Sequence, residues 1–419
     1  MRRLCAPLLL LLVACSATGA AEGSPSDDDA SPIDANAEAA SDASDAAPSD
    51  TSADTADVSA PAPTALVAPP VAKLGFRVEG MTNTKAPMLA AVGGEVLLAG
   101  TVAKLKSGAD GRATVRAKAP SAPAFGAPSD LGDARGQPDY AGTSIHVAAD
   151  GATSVAFLDQ SDEKTRPVSL WFTRRDASKA WTTKEKVATT TDVTTLWYFV
   201  DLTTAPAGSF VFTANKDQKV QYARNTGGGW SAQALAHADG VAMFMRATTL
   251  ADGRPLFVHA YDGAWAGAWT GAAFTSETIN PAGGARFLAE PTVAALPDGR
   301  AIAAFRSVDP GIWVAERSAA GVWSLGKVFD DKAEGIVAVA TDAYGFSHLA
   351  WTNGAKVQYA VRPPKGTWST PVSADAPTTK SASLAVTWEG SLLRAHIACE
   401  EWPADALFTR YVMFEATAK

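Results

Sequence analysis

From Lys73 to Lys419 apolar and polar residues alternate with a period of two, in short runs broken by Gly, Asp-Gly or Asn-Gly. One stretch shows the unit clearly. Gly335-Ile-Val-Ala-Val-Ala-Thr-Asp-Ala-Tyr-Gly345 leads into Phe346 to Trp351, then Lys356-Val-Gln-Tyr-Ala-Val-Arg362, then Gly366-Thr-Trp-Ser-Thr-Pro-Val372. Period-2 alternation rich in β-branched and aromatic residues, punctuated by Gly, is the pattern of strands joined by hairpins. No stretch carries the 3.6-residue period of a convincing amphipathic helix.

An aromatic opening the fourth strand of each unit serves as a ruler. It falls at Phe125, Trp181, Trp230, Phe274, Trp323 and Trp368, in steps of 56, 49, 44, 49 and 45 residues. Four of these aromatics have an Arg six residues upstream (Arg175, Arg224, Arg317, Arg362), and three of those four have Gly two residues before the Trp (Gly228, Gly321, Gly366). Four strands per 40- to 50-residue unit is the signature of a β-propeller blade. The last unit, 382–414, stops after three strands, whereas Lys73-Leu-Gly-Phe-Arg-Val-Glu-Gly80 has the pattern of a fourth strand, with Phe76 again 49 residues before Phe125. These ends predict an all-β, seven-bladed propeller of four-stranded antiparallel blades, closed by the N-terminal strand completing the last blade.

The first 72 residues are different. Arg2-Arg3 and the apolar run Leu8 to Leu12 form a signal peptide, too short to span a bilayer. Leu12-Val-Ala-Cys15 resembles the bacterial lipobox, which implies a signal peptide over 1–14 and lipidation of Cys15; the alternative is an ordinary signal peptide with an incidental cysteine. Ser16 after the cysteine is similar to the pattern sorted to the outer membrane. Residues 16–72 contain no Lys or Arg but nine Asp and two Glu, in an Ala/Ser/Pro/Thr background. Such a segment cannot offset its ordering entropy by burial, so 15–72 is expected to be a disordered acidic tether spanning roughly 40 Å or more. A functionless spacer would have the same composition. The propeller is expected over 73–419.

Setting the tether apart changes the meaning of the net charge of −8. Residues 73–419 hold 33 acidic and 34 basic residues, so nothing favours a phosphate backbone and nucleic acid is not expected as a partner. Cys399 is the only cysteine outside the leader, so packing must stabilise the body without disulfides.

The repeat resembles the sialidase-like, Asp-box (BNR-type) propellers through His348, Trp351, Tyr359, Arg362, Gly366, Trp368 and Ser369. The Asp of the Ser-x-Asp-x-Gly-x-x-Trp turn is missing, as Arg224-Asn-Thr-Gly-Gly-Gly-Trp230 and Arg317-Ser-Ala-Ala-Gly-Val-Trp323 show. The resemblance implies an arginine triad gripping a carboxylate, a Tyr activated by Glu, and an acidic Asp. No Arg-Ile-Pro motif occurs, and Arg77 lies on the outer closing strand. Arg246, Arg286 and Arg306, with Tyr198 or Tyr261 and Glu290, are the residues left to build such a site. Other glycosidases need only two opposed carboxylates, which spacing between blades does not test.

Loops after the second strands carry Asp159, Asn215, Asp262, Asp309, Asn353 and Glu400-Glu401. They share a face with the links between blades, which hold Asp139, Asp192, Asp239, Glu290, Asp331 and Glu334. Trp402 and Tyr261 are available there for stacking. Carboxylates with aromatics suit sugar hydroxyls, or a cation such as Ca²⁺, although Asp and Asn also close turns. The five histidines show no metal-ligand spacing, Cys399 lacks a nucleophile's context, and no other metal or cofactor is expected. Gly227-Gly-Gly229 reads as a hairpin turn. Trp171, Tyr222, Trp269, Trp313, Tyr359 and Tyr411 recur once per blade as core.

The sequence therefore predicts a monomeric, lipid-anchored propeller at the bacterial outer membrane or cell surface. It would touch the membrane only through its lipid and recognise a glycan or a protein partner without catalysis. The ligand-binding candidates are Asp159, Asn215, Asp262, Asp309, Asn353, Glu400 and Trp402. A sialidase-like glycoside hydrolase or other carbohydrate-active enzyme is the alternative, favoured by convergence of Arg246, Arg286 and Arg306 on one central pocket; a structural envelope scaffold would show no pocket.

Overall fold

A computed structural model describes residues 62–82, 87–102, 111–134, 142–159, 168–190, 199–214, 219–237, 244–260, 263–280, 288–403 and 407–419. Within them, 28 strands, β1 to β28 in chain order, form seven four-stranded antiparallel sheets, and there is no helix. The blades span 88–134, 143–190, 199–237, 244–280, 288–329, 338–375 and 379–417. The seventh is completed by β1 (Val71–Thr82), which pairs antiparallel with β28 (Phe408–Thr417), as the unequal ends of the repeat predict. Upstream of β1, Thr64 and Val67 already donate backbone bonds to the carbonyls of Lys419 and Thr417, at 2.9 and 2.7 Å. None of the described elements is a helix long and apolar enough to cross a membrane.

Each blade turns its first strand to the axis, and each inner strand packs against the next, β26 (Thr379–Glu389) closing on β2 (Met88–Val92). Two faces result. Turns joining first to second and third to fourth strands make a hairpin face; loops after second strands and links between blades make the opposite loop face. The core lies between blades, where the recurrent aromatics serve as expected: Tyr359 and Tyr411 are wholly buried, and Trp269 and Trp313 nearly so. Gly267 shows how tight this packing is. A Cβ there would sit 2.5 Å from Cζ of Phe257, so Gly267→Ala should cost about 1–3 kcal/mol in chemical denaturation.

The ruler residues are clamps between blades. Arg175 reaches Glu95 of the preceding blade at 2.5 Å, Arg317 reaches Glu277 at 2.6 Å, and Arg362 reaches Glu316 at 2.5 Å. Two ruler tryptophans join the same scheme: Trp323 Nε1 donates to Glu277 at 2.7 Å and Trp230 Nε1 to Glu185 at 3.0 Å. A blade's outer strands are thus fixed to the neighbour by charge-assisted bonds, which explains why Arg and Trp keep a fixed spacing without any Asp in the turn.

Candidate functional site

The inner strands are short and their axial side chains are small, chiefly Ala and Thr, so they do not fill the axis. A cavity of about 920 Å³ remains, walled by residues from the inner strands of all seven blades. Side-chain bonds between inner strands hold its wall. Leu89 N donates to Ser383 Oγ at 2.8 Å, and Thr292 Oγ1 donates to the Val337 carbonyl at 2.7 Å.

Asp201 on β10 (Phe199–Ala205) joins three blades. Its Oδ1 accepts from Ser144 on β6 (Thr143–Val147), and its Oδ2 accepts from the Ala247 amide on β14 (Phe244–Thr249) at 2.6 Å. Burial raises its pKa above the usual carboxylate range, opposed by the nearby Arg246 guanidinium. Arg246 is only 8% exposed and lines the cavity, and among the described residues its hydrogen bond is from Nη1 to the Met245 carbonyl at 3.1 Å. A guanidinium carries five N–H donors, so this bond leaves capacity for a ligand in the cavity.

Next to it, β18 (Leu288–Ala295) carries a bulge between Ala289 and Thr292 in its pairing with β19 (Ala301–Ser307). At this bulge Glu290 is left-handed, with φ of 51°, an unusual conformation for a residue with a side chain. One carboxylate oxygen accepts from Arg306 Nη1 at 3.4 Å; the other, Oε2, is buried without a hydrogen-bond partner. Burial raises the Glu290 pKa in spite of Arg306 and Arg246, whose charges both act the other way. A strained, half-satisfied carboxyl acted on by two cations, two residues before Thr292 of the cavity wall, has the character of a functional site.

Of the residues expected to converge, Arg246, Glu290 and Arg306 are thus together, while Arg286, Tyr198 and Tyr261 lie outside the described residues. Ser144 and Asp201 were not foreseen. Their only trace in the sequence is an Asp within the otherwise apolar Phe199-Val-Asp-Leu.

The loop-face candidates have these places. Asp159 ends β7 (Thr153–Asp159) and accepts from Trp171 Nε1 at 3.2 Å, and Trp171 lies under Lys184 at 4.4 Å and Lys186 at 5.2 Å. The Asp309 amide donates to Ser307 Oγ at 3.2 Å. Asn353 Oδ1 accepts from the amides of Ala355 and Lys356, closing its own turn. Glu400 accepts from Trp402 Nε1 at 3.0 Å, and Lys380 lies 5.6 Å from the Trp402 ring centre. Glu401 binds Arg77 through two bonds, at 3.0 and 2.7 Å. Asn215, Asp262, Asp139, Asp192, Asp239 and Cys15 lie outside the described residues.

No group of three or more metal-ligating side chains occurs among the described residues. The histidines do form one pair that spacing did not suggest, His259 Nε2 lying 2.9 Å from His237 Nδ1. Cys399 is buried and its thiol pKa is pushed well up by desolvation.

No family model matches the chain, and no curated protein matches it. Solved structures do resemble it. A protein of unknown function from Dyadobacter fermentans aligns with TM-score 0.52 at 10% identity, over 83% of this chain and 99% of that one. An α-L-arabinanase from Penicillium chrysogenum, complexed with arabinobiose, aligns with TM-score 0.51 at 11% identity, over 82% and 98%. An α-L-arabinofuranosidase from Fusarium graminearum gives 0.51 at 10%, over 81% and 97%. What the chain shares with these proteins at this level of identity is the fold alone.

Proposed function

We propose that this protein is a glycan-binding propeller whose ligand enters the axial cavity, displayed at the bacterial surface on an acidic tether lipidated at Cys15. The observation that carries the binding reading is Arg246: a guanidinium buried in the wall of a large cavity that, among the described residues, bonds a single backbone carbonyl. Sugars offer ring hydroxyls and carboxylates to such donors, and a cavity of this volume accommodates a small-molecule ligand. The fold is compatible with the reading without choosing it, since propellers serve unrelated functions.

The test is a glycan array read by mass, using the full chain in detergent. Retention of unmodified sugars is expected, with at least a tenfold loss in Arg246→Met at unchanged far-UV circular dichroism. Equal retention by the variant would remove the cavity from the reading.

One observation supports a second reading, hydrolysis of a glycosidic bond. Glu290 combines a raised pKa, an unpartnered oxygen and a strained backbone, the properties of a carboxyl that gives up a proton to a leaving group. A loss of sugar mass on the same array, abolished in Glu290→Gln, would establish it over simple binding.

A further inference from the structure

The loop face of blades 4 to 7 carries charges that continue from one blade to the next. Arg246 stands on blade 4, and Glu290 and Arg306 on blade 5. Glu334, which bonds Lys332 at 2.8 Å, lies in the link to blade 6. Its pKa is lowered first by that bond and further by the charges of Lys332, Lys380 and Arg306. Lys380 belongs to the inner strand of blade 7, where a second bulge, between Lys380 and Ala382, places Ser381 in the left-handed region with φ of 44°. That bulge fits onto blade 6, since Ser381 N donates to the Glu334 carbonyl at 2.9 Å. Beyond Lys380 lies the Trp402 ring. Two irregular inner strands thus turn charged side chains toward one arc that ends on an aromatic face.

The cations in this arc keep spare donors. Among the described residues Arg246 bonds one backbone carbonyl, Arg306 makes one long bond to Glu290, and Lys380 lies over the Trp402 ring with its charge acting on Glu334. Carboxylates stand between them. A nucleic acid or a polysulfate would bring an anion against every Glu as well as every Arg. A polymer that alternates carboxylates with hydroxyls suits the arc better, because its carboxylates accept from Arg and Lys while its hydroxyls donate to Glu290 and Glu334. Its sugar rings can also stack on an aromatic side chain.

We infer that blades 4 to 7 form an extended cleft for a uronate-containing polysaccharide, running from Arg246 and Glu290 past Arg306 and Glu334 to Lys380 and Trp402. This rests on the glycan-binding reading and adds the ligand's charge and length to it. A chain of several sugars occupies the arc, and a single sugar occupies one end.

Calorimetric titration of the full chain in detergent tests it, with polygalacturonate, alginate and hyaluronate as acidic probes. Free galacturonate, fully methyl-esterified polygalacturonate and arabinan are the comparison probes. At least one acidic polymer is expected to bind, at least tenfold more tightly than free galacturonate; if it is polygalacturonate, the esterified form is expected to bind at least tenfold more weakly. Arg306→Gln and Lys380→Gln, both changes at cations of the arc, should each weaken polymer binding about fivefold, the scale of one partly exposed ion pair, and do so independently. Glu334→Gln should strengthen it. Binding of arabinan or the esterified polymer that ignores both cation variants would overturn the inference and leave glycan binding standing. An acidic polymer bound no more tightly than the monomer, or unaffected by both variants, would also overturn it. Failure of every polymer and of the whole array would remove both readings together.

Discussion

Lowering the pH from 7 to 5 should remove about 4 kcal/mol of folding stability through two histidines, His146 and His396. Burial is the main cause in both, holding the pKa of His146 down to about 4 and that of His396 down to about 3. A bond involving the Thr204 backbone works weakly in the opposite sense at His146, whereas the charges of Lys118 and Arg394 add to the depression at His396. His396 bridges Tyr411 OH at 2.6 Å and Thr387 Oγ1 at 2.8 Å, and the neutral ring serves both.

The sign follows from proton counting. Above about pH 6.5 both rings are neutral whether the chain is folded or not, and their contribution is fully present. As the pH falls, the unfolded chain takes up protons that the native rings refuse, so stability drops until the pH reaches the native values. Each ring contributes about 2 kcal/mol of loss by pH 5. Asp201 and Glu290, with raised values, act in the opposite direction at lower pH. Denaturant midpoints at pH 7 and 5 should therefore converge in His146→Gln/His396→Gln relative to the parent. An unchanged difference between the two midpoints would exclude the histidines as its source.

Glu277→Ala should destabilise the propeller by about 3–5 kcal/mol. Glu277 receives three bonds from the next blade: Arg317 Nε at 2.9 Å, Arg317 Nη2 at 2.6 Å and Trp323 Nε1 at 2.7 Å. Arg317 is 3% exposed. Without Glu277 it would retain one long bond to the Ser318 carbonyl, at 3.4 Å, and its charge would stay buried. The cost comes mainly from that uncompensated charge, so Glu277→Ala combined with Arg317→Met should recover part of it. Denaturation of the two single variants and the double variant gives the coupling directly, and strict additivity would show that the pair is not energetically linked.

This clamp also shows why the fold was legible. Arg317 and Trp323 repeat at one spacing because several blades grip the blade before them in the same way, as Arg175 and Arg362 also do, and a requirement imposed several times leaves a periodic trace. The closing strand could be read for the same reason, as a copy of the fourth-strand pattern in the wrong place. The site has no such redundancy. Arg246, Glu290 and Arg306 could be named as charged residues near inner strands, but their meeting depends on a bulge at Glu290 that alternation does not encode. Asp201 was hidden because one Asp in an apolar strand carries no period, and its partners Ser144 and Ala247 lie on two other blades. Asn353 illustrates the opposite difficulty: its side chain closes a turn, and composition gives that use and ligand contact the same signature.

The closing of blade 7 decides where a pull on the N-terminal end of the described chain would be felt. The described chain enters at the hairpin face, where Thr64 and Val67 meet the C-terminal residues, and β1 then runs toward the loop face. A load applied upstream of residue 62 would reach the outermost strand of the blade, away from the axis. Peeling under that load would bare the edge of β28 first and leave the ring of inner strands intact.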